Sequence, residues 1–289
     1  MNFKYITLLV LIIGFLGCNS NQNQQPVTEI PVSTETVMVK NEAPKHSSVY
    51  VNGVTSKAEK LLSANNYTPF GTLQTQKLDR IEESSEITVQ TAPQSIKTGN
   101  QMYNHLQEST MYIGSSYLCG KCPNVHLTHA SGFVIHEKGV IVTNYHVIEV
   151  KEGVDVSAIF AADNEGNVYP VSKILSASQS NDIAILQLDT KGKTLKALPF
   201  AQQEIVGEDV FAMGHPFNNT FFITKGIVAQ KYISEHSGEP KIAITANFGQ
   251  GASGGPVVNN KGEVVGVISA TYMHYTNGSK SKGDLQLVV

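Results

Sequence analysis

Beyond about residue 100, short apolar runs rich in Val, Ile and Thr follow one another closely with polar turns between them, the pattern of successive β-strands. Such runs cover 110–118, 131–136, 140–144, 154–161, 168–175, 183–188, 209–213, 222–229, 242–245, 256–258, 264–270 and 285–289. Turn-forming clusters separate them, among them Glu137-Lys-Gly139, Asp163-Asn-Glu-Gly166 and Asn259-Asn-Lys-Gly262. In these clusters glycine supplies the backbone freedom that a tight turn needs. About a dozen short strands with no long helix predict an all-β fold of two small antiparallel barrels, six strands each. The N-terminal barrel is expected over roughly 101–195 and the C-terminal barrel over roughly 196–289, together one domain over 101–289.

The pattern before residue 100 is different. Lys4 precedes an apolar run from Ile6 to Leu16, which ends in Phe15-Leu-Gly-Cys18. The run is shorter than the roughly 20 residues of a membrane span and reads as an export signal. A cysteine directly after Leu-Gly resembles the processing site of bacterial lipoproteins. Residues 1–18 are therefore expected to be a lipoprotein signal peptide and Cys18 a lipidated N-terminus; an uncleaved hydrophobic anchor is the alternative. Either one puts the remaining chain outside the cytoplasm, lipid-anchored in the bacterial cell envelope on the first reading. Residues 19–100 open with the polar, low-complexity stretch Asn19-Ser-Asn-Gln-Asn-Gln-Gln-Pro26. They read as a mostly disordered, flexible tether, because such a segment buries too little apolar area to offset its chain entropy. A helical turn or two is expected over 56–62, and 66–98 is left open between tether and packing on the domain.

Composition narrows the function only slightly. With 289 residues and 41% hydrophobic content, the chain can pack a core over part of its length, and 24 glycines agree with many tight turns. A net charge of −3 with no basic stripe argues against nucleic acid as a partner.

Three separated segments carry reactive chemistry. Gly249-Gln-Gly-Ala-Ser253-Gly-Gly-Pro256 places a serine hydroxyl between glycines that let the backbone turn sharply and point N–H groups at a ligand. In Val140-Ile-Val-Thr-Asn-Tyr-His146 an imidazole follows directly on an apolar strand. In Ser180-Asn-Asp182-Ile-Ala-Ile-Leu a carboxylate opens another strand, where burial would demand a partner such as an imidazole N–H. Singly, each residue has an ordinary structural explanation. Together they supply nucleophile (Ser253), general base (His146) and orienting carboxylate (Asp182), in the chain order His, Asp, Ser.

These segments resemble the trypsin-like serine proteases of the HtrA/Deg branch. The match runs through Ser131-Gly-Phe-Val-Ile, Ile141-Val-Thr-Asn-Tyr-His-Val-Ile, Asn181-Asp-Ile-Ala-Ile-Leu and Gly251-Ala-Ser-Gly-Gly-Pro-Val-Val-Asn. It includes Ala212-Met-Gly-His-Pro-Phe217 with Thr224-Lys-Gly-Ile-Val228, and covers nearly half the chain. The resemblance implies a chymotrypsin/trypsin-like fold and a serine endopeptidase that hydrolyses peptide bonds, with protein or peptide substrates and no cofactor. It further implies an oxyanion hole from the N–H groups of Gly251 and Ser253, and a substrate pocket lined by Asn247 and Phe248. Neither pocket residue is acidic, so no strong preference for Lys or Arg is expected. The chain departs from the family at Ala252, where Asn is usual, and at His215, where the family block reads Gly-Asn-Pro. The stretch after Ser253 is too short for the PDZ domain most HtrA proteins carry, so a protease domain alone is expected. A catalytically silent, trypsin-fold binding protein at the cell surface is the alternative function.

With Cys18 assigned to lipid, Cys119 and Cys122 remain, in Cys119-Gly-Lys-Cys122 with His126 and His129 close behind. A local disulfide is the expected state in an oxidising compartment. A plain thiol pair and a Cys2His2 zinc site are the alternatives, and no bound metal is expected. Pro123 stands where a c-type haem motif requires His.

Overall fold

A computed structural model of the chain describes residues 46–81, 86–89, 95–150, 153–275 and 283–288. The expectations for residues 1–45, including the signal sequence and Cys18, lie outside the described residues. The first sheet holds β1 (Thr110–Leu118), β2 (Val125–Leu127), β3 (Ala130–His136), β4 (Val140–Thr143), β5 (Val156–Ala162), β6 (Val168–Ser178) and β7 (Ile183–Leu188). Their order is β2-β1-β3-β4-β7-β6-β5, and a further pairing of β1 with β5 closes six of the strands into a barrel. The second sheet holds β8 (Asp209–Gly214), β9 (Phe222–Ile233), β10 (Pro240–Ile244), β11 (Pro256–Asn259), β12 (Val264–Val267), β13 (Thr271–Tyr275) and β14 (Gly283–Val288). Its order is β12-β11-β8-β9-β10-β14-β13. The chain thus forms the expected all-β, double-barrel architecture, the first barrel closed and the second a curled sheet of seven strands. Strand β2 escaped the sequence pattern because three residues are too few to display a period. The apolar run at 264–270 read as one strand, whereas β12 ends at Val267 and a further strand, β13, begins at Thr271 beyond that run.

Strand β7 shows how the sequence pattern becomes a barrel wall. In Ile183-Ala-Ile-Leu-Gln-Leu188 every second residue, Ala184, Leu186 and Leu188, is buried. These join Met111, Ile113, Val134, Ile141, Ile159 and Ile174 in one core inside the first barrel. A second core, with Phe133, Ile135 and Val142 from the first sheet and Phe211, Met213 and Val258 from the second, welds the two sheets together. Strands β1 and β3 are buried almost throughout, on both faces. Both faces can be apolar only if something covers the outer one.

Three helices contribute to that cover: α1 (Ser47–Ser63), α2 (Phe70–Asp79) and α3 (Gly99–Gln107). Here the structure corrects the expectation of a tether reaching residue 100. Val54 and Ala58, four residues apart on one face of α1, are buried against Tyr112, Ala158, Phe160 and Ala162 of β1 and β5. The Tyr50 hydroxyl on the same helix donates to the Asp163 carbonyl at 2.7 Å. From α2, Phe70 and Leu73 enter the core of the first barrel, and Ile81 beyond it forms a parallel bridge with Ala177 of β6. Burying side chains of this size stabilises by roughly 1.5–3 kcal/mol each. The apolar period in 50–73 is sparse and set among Ser, Asn, Gln and Lys, which is why it read as tether. Thr98 and Gln101 form a reciprocal capping box that starts α3 at Gly99. Its buried Met102 and Leu106 join the core between the sheets.

Candidate active site

His146 lies on the single 3₁₀ turn Tyr145–Val147 that follows β4. Tyr145 and Val147 on either side are buried and anchor the turn, while the His146 side chain is 44% exposed. Asp182 lies at the end of the turn that enters β7, with φ at +57°. Aspartate is one of the few non-glycine residues that tolerate this region. The conformation is braced by the Asn144 amide, which donates to the Asp182 carbonyl at 2.9 Å, and by the Asp182 N–H, which donates to Gln179 at 3.2 Å.

The two side chains meet. His146 Nδ1 lies 3.0 and 2.9 Å from the Asp182 carboxylate oxygens, and the His146 backbone N–H donates to Oδ1 at 3.1 Å. Ser269 donates its hydroxyl to Oδ2 at 2.5 Å. An ionised carboxylate can only accept, so Nδ1 carries a proton and the neutral ring keeps its lone pair on Nε2. Burial pushes the Asp182 carboxyl upward, but the hydrogen bonds from His146 and Ser269 outweigh it and hold the group below the usual carboxylate range. The His146 imidazole is therefore oriented, with the Asp182 carboxylate charge on its Nδ1 side.

Ser253 sits between β10 and β11, in a loop held by main-chain bonds. Ala252 N–H donates to Gly249, Gly255 N–H to Ala252 and Gly254 N–H to Ile268, at 3.0, 2.9 and 2.8 Å. The Ser253 carbonyl accepts from the Ser131 N–H at 2.8 Å, and the Ser131 hydroxyl donates to the Gly251 carbonyl at 2.9 Å, so β3 of the first barrel grips the loop twice. Gly254, at φ +86°, packs so closely that a Cβ there would lie 2.1 Å from the Ser131 carbonyl and 2.4 Å from Thr143 Oγ1. Thr143 ends β4, three residues before His146, so this contact ties the serine loop to the segment that leads into the His146 turn. Phe217 N–H donates to the Gln250 carbonyl at 2.8 Å. In a trans peptide the next N–H, that of Gly251, points the opposite way. Among the described residues neither the Gly251 nor the Ser253 N–H has a hydrogen-bond acceptor. Gly251 itself is at φ +97°, with a Cβ site only 2.4 Å from the His129 ring and 2.7 Å from the His215 carbonyl.

Asn247 and Phe248 line a narrow crevice with Met213, Phe222, Ala252 and Ile268, too tight to hold a water molecule. A larger hollow of about 540 Å³ lies behind Asp182, where Asn144 and Ser269 are its only contributors from the site. His215 is fully buried beneath the loop, its ring 5.3 Å from Tyr112 and 4.7 Å from Phe221, with Nδ1 accepting from the Phe221 N–H. Cys119 and Cys122 are free thiols with sulfurs 3.5 Å apart, and Cys122 Sγ is 3.1 Å from His126 Nε2. A hydrogen bond from the Lys121 backbone, helped by Cys122, lowers the Cys119 thiol to about 7. Sequence reasoning missed Ser269, Asn144 and the bracing role of Ser131. Ser131 was visible as part of a motif, but nothing in the pattern around Ser269 marks it.

Residues 130–267 match the family model described as a trypsin-like peptidase domain. The chain is 36% identical over 144 residues to serine protease HTRA1 of Xenopus laevis, covering 47% of this chain and 30% of that one. It is 33% identical over 144 residues to a probable periplasmic serine endoprotease, DegP-like, of Ectopseudomonas mendocina, covering 49% and 29%. Against protease Do-like 1, chloroplastic, of Arabidopsis thaliana it is 32% identical over 150 residues, covering 49% and 33%. A crystal structure of the serine endoprotease from Yersinia pestis aligns at TM-score 0.49 and 24% identity, covering 62% of this chain and 60% of that one. The chain thus spans about a third of the length of these curated relatives. Residues 130–267 are similar to a trypsin-like peptidase domain, and the relatives named here are proteases of the HtrA and DegP/Do-like kinds.

Proposed function

We propose that the protein is a serine endopeptidase that cleaves peptide bonds of extracytoplasmic proteins through an acyl-enzyme. The carrying observation is the Asp182 carboxylate bonded to His146 through both ring and backbone N–H, together with a serine loop whose Gly251 and Ser253 N–H groups have no acceptor among the described residues. In this mechanism His146 Nε2 takes the Ser253 proton as Oγ attacks the scissile carbonyl. Asp182 stabilises the imidazolium that forms, and the Gly251 and Ser253 N–H groups receive the oxyanion. His146 returns the proton to the departing amine, and water then repeats the sequence to release the acid. Asn247 and Phe248 line a crevice beside the serine loop, and neither is acidic, so no strong preference for Lys or Arg before the cut is expected.

The lipoprotein-like Cys18 and the periplasmic assignment in the DegP-like relative's name support a site of action in the bacterial envelope. On this reading Cys18 is acylated, and Cys18→Ser releases the protein from membranes. Labelling by a fluorophosphonate probe tests the chemistry: the parent chain should react and Ser253→Ala should not. A properly folded parent that resists the probe and cleaves no peptide would leave the silent binding protein as the better reading.

A further inference from the structure

The β1–β2 hairpin holds a cluster that peptide hydrolysis leaves unused. Its loop, Cys119-Gly-Lys-Cys-Pro-Asn124, reverses through Gly120 at φ +69° and brings both thiols to the His126 ring on β2. The three ligand atoms all lie within 4.8 Å of one another. Pairing of Tyr117 with His126 and of Leu118 with Val125 sets this register, and the Tyr117 ring lies 5.5 Å from the imidazole at a 33° tilt. The nitrogen turned toward the sulfurs is Nε2, the atom free to ligate.

Magnitudes separate the two uses of such a cluster. A disulfide needs sulfurs about 2.05 Å apart and has no role for an imidazole. A tetrahedral zinc ion, at about 2.3 Å from sulfur and 2.0–2.1 Å from nitrogen, sets its sulfurs about 3.8 Å apart and sulfur to nitrogen about 3.6 Å. The observed 3.5 Å between the sulfurs is within about 0.3 Å of the second geometry. The 3.1 Å from Cys122 Sγ to His126 Nε2 is a thiol–imidazole contact that would lengthen by about 0.5 Å around an ion.

We propose that Cys119, Cys122 and His126 form a binding site for a thiophilic divalent cation, zinc, with its fourth position taken by water. On binding, the two thiols give their protons to solvent and ligate as thiolates, while His126 ligates as neutral imidazole. The expected disulfide is the rival state. The site is three residues along the chain from His129, whose ring abuts Gly251, with the Thr128 hydroxyl between them accepting the Ser115 N–H at 2.9 Å. An ion here would brace the hairpin beside the candidate oxyanion hole.

The test uses the full chain carrying Cys18→Ser, so that Cys119 and Cys122 are the only thiols, reduced and stripped of metal. Titration with Zn²⁺ against a chromogenic chelator should show one equivalent bound. Cys119→Ser and Cys122→Ser should each weaken it at least a hundredfold, and His126→Ala at least tenfold. Co²⁺ in place of zinc should give a thiolate-to-metal charge-transfer band that Cys122→Ser diminishes. No stoichiometric uptake by the reduced chain, or affinity indifferent to these substitutions, would overturn the proposal. So would a Cys119–Cys122 disulfide in the isolated protein together with no uptake after reduction. None of the three residues belongs to the candidate triad, so these readouts stand apart from peptidase activity.

Discussion

The two ends of the candidate site are built from different materials. Around Asp182, side chains do most of the holding: the His146 ring, the Ser269 hydroxyl and the Asn144 amide all bond to this one residue. Around Ser253, the backbone does: Gly249, Ala252, Gly254 and Gly255 bond through their main chains, and Ser131 from the first barrel grips the loop. A side-chain lattice loses partners one at a time and should fail by degrees. A backbone cradle has no partner to trim; it fails when an atom is added where none fits.

The largest effect sharpens the comparison at its centre. Ser253→Ala removes only an oxygen, so loop and fold should persist while peptide hydrolysis drops by about 10⁶. Near-parent cleavage by the purified variant would mean the nucleophile is wrongly assigned. Asp182→Asn comes next, with a loss of about 10⁴ in kcat, because an amide NH₂ cannot accept from Nδ1–H and the wrong imidazole tautomer is favoured. Steady-state kinetics on one peptide, with circular dichroism to show an intact fold, checks both.

Gly251→Ala probes the backbone end. The new methyl would stand 2.4 Å from the His129 ring and 2.7 Å from the His215 carbonyl, at a φ of +97° that side chains rarely adopt. The peptide must rotate, and the donor at residue 251 is lost. A drop of about 10²–10³ in kcat is expected, the scale for one oxyanion donor. Ser269→Ala probes the side-chain end more gently. It deletes one of three bonds to the carboxylate and leaves both His146 bonds, so less than a tenfold loss is expected. If Ser269→Ala cost more than Gly251→Ala, the distinction between the two ends would collapse.

The same distinction explains what the sequence could reveal. The backbone end was legible because a loop of this shape needs glycines at fixed places, and Gly251, Gly254 and Gly255 appear in the string as a motif. The strand alternation in Ile183–Leu188 was legible because burial repeats with the pleat. Ser269 was not legible: its value lies in a contact to Asp182, 87 positions away, and a lone serine after a strand announces nothing. The same holds for α1, whose Val54 and Ala58 have meaning only against Tyr112 and Phe160. Long-range packing of a sparse apolar face leaves little local trace.

His215 offers the mildest test, because it supports the backbone end without entering the chemistry. Its carbonyl lies against Gly251, and its ring is packed by Tyr112 and Phe221, which Tyr50 of α1 also touches. Burial lowers the imidazole to about 3; a backbone contact at Met111 opposes the shift and the charge of nearby His129 adds to it. The sign follows from linkage. In the unfolded chain an imidazole takes up its proton near about 6.5, whereas the folded one does so only near 3, so the unfolded state binds more protons between those values. Stability from this group is complete above the unfolded value and is lost as pH falls toward 3. Between pH 7 and 5 the loss is up to about 2 kcal/mol, at roughly 1.4 kcal/mol per pH unit. His215→Asn removes the titration while its Oδ1 can still accept the Phe221 N–H. Its stability at pH 7 should fall, since the ring contacts are gone, but its further loss on going to pH 5 should be smaller than the parent's by up to that amount. Urea melts of both proteins at the two pH values measure the difference. Peptidase activity at pH 7 should stay within about tenfold of the parent, because the variant leaves the Gly251 and Ser253 N–H groups in place. An unchanged pH slope would mean that His215 takes up its proton in the folded chain as readily as in the unfolded one, and the serine loop would then rest on a charged support at pH 5.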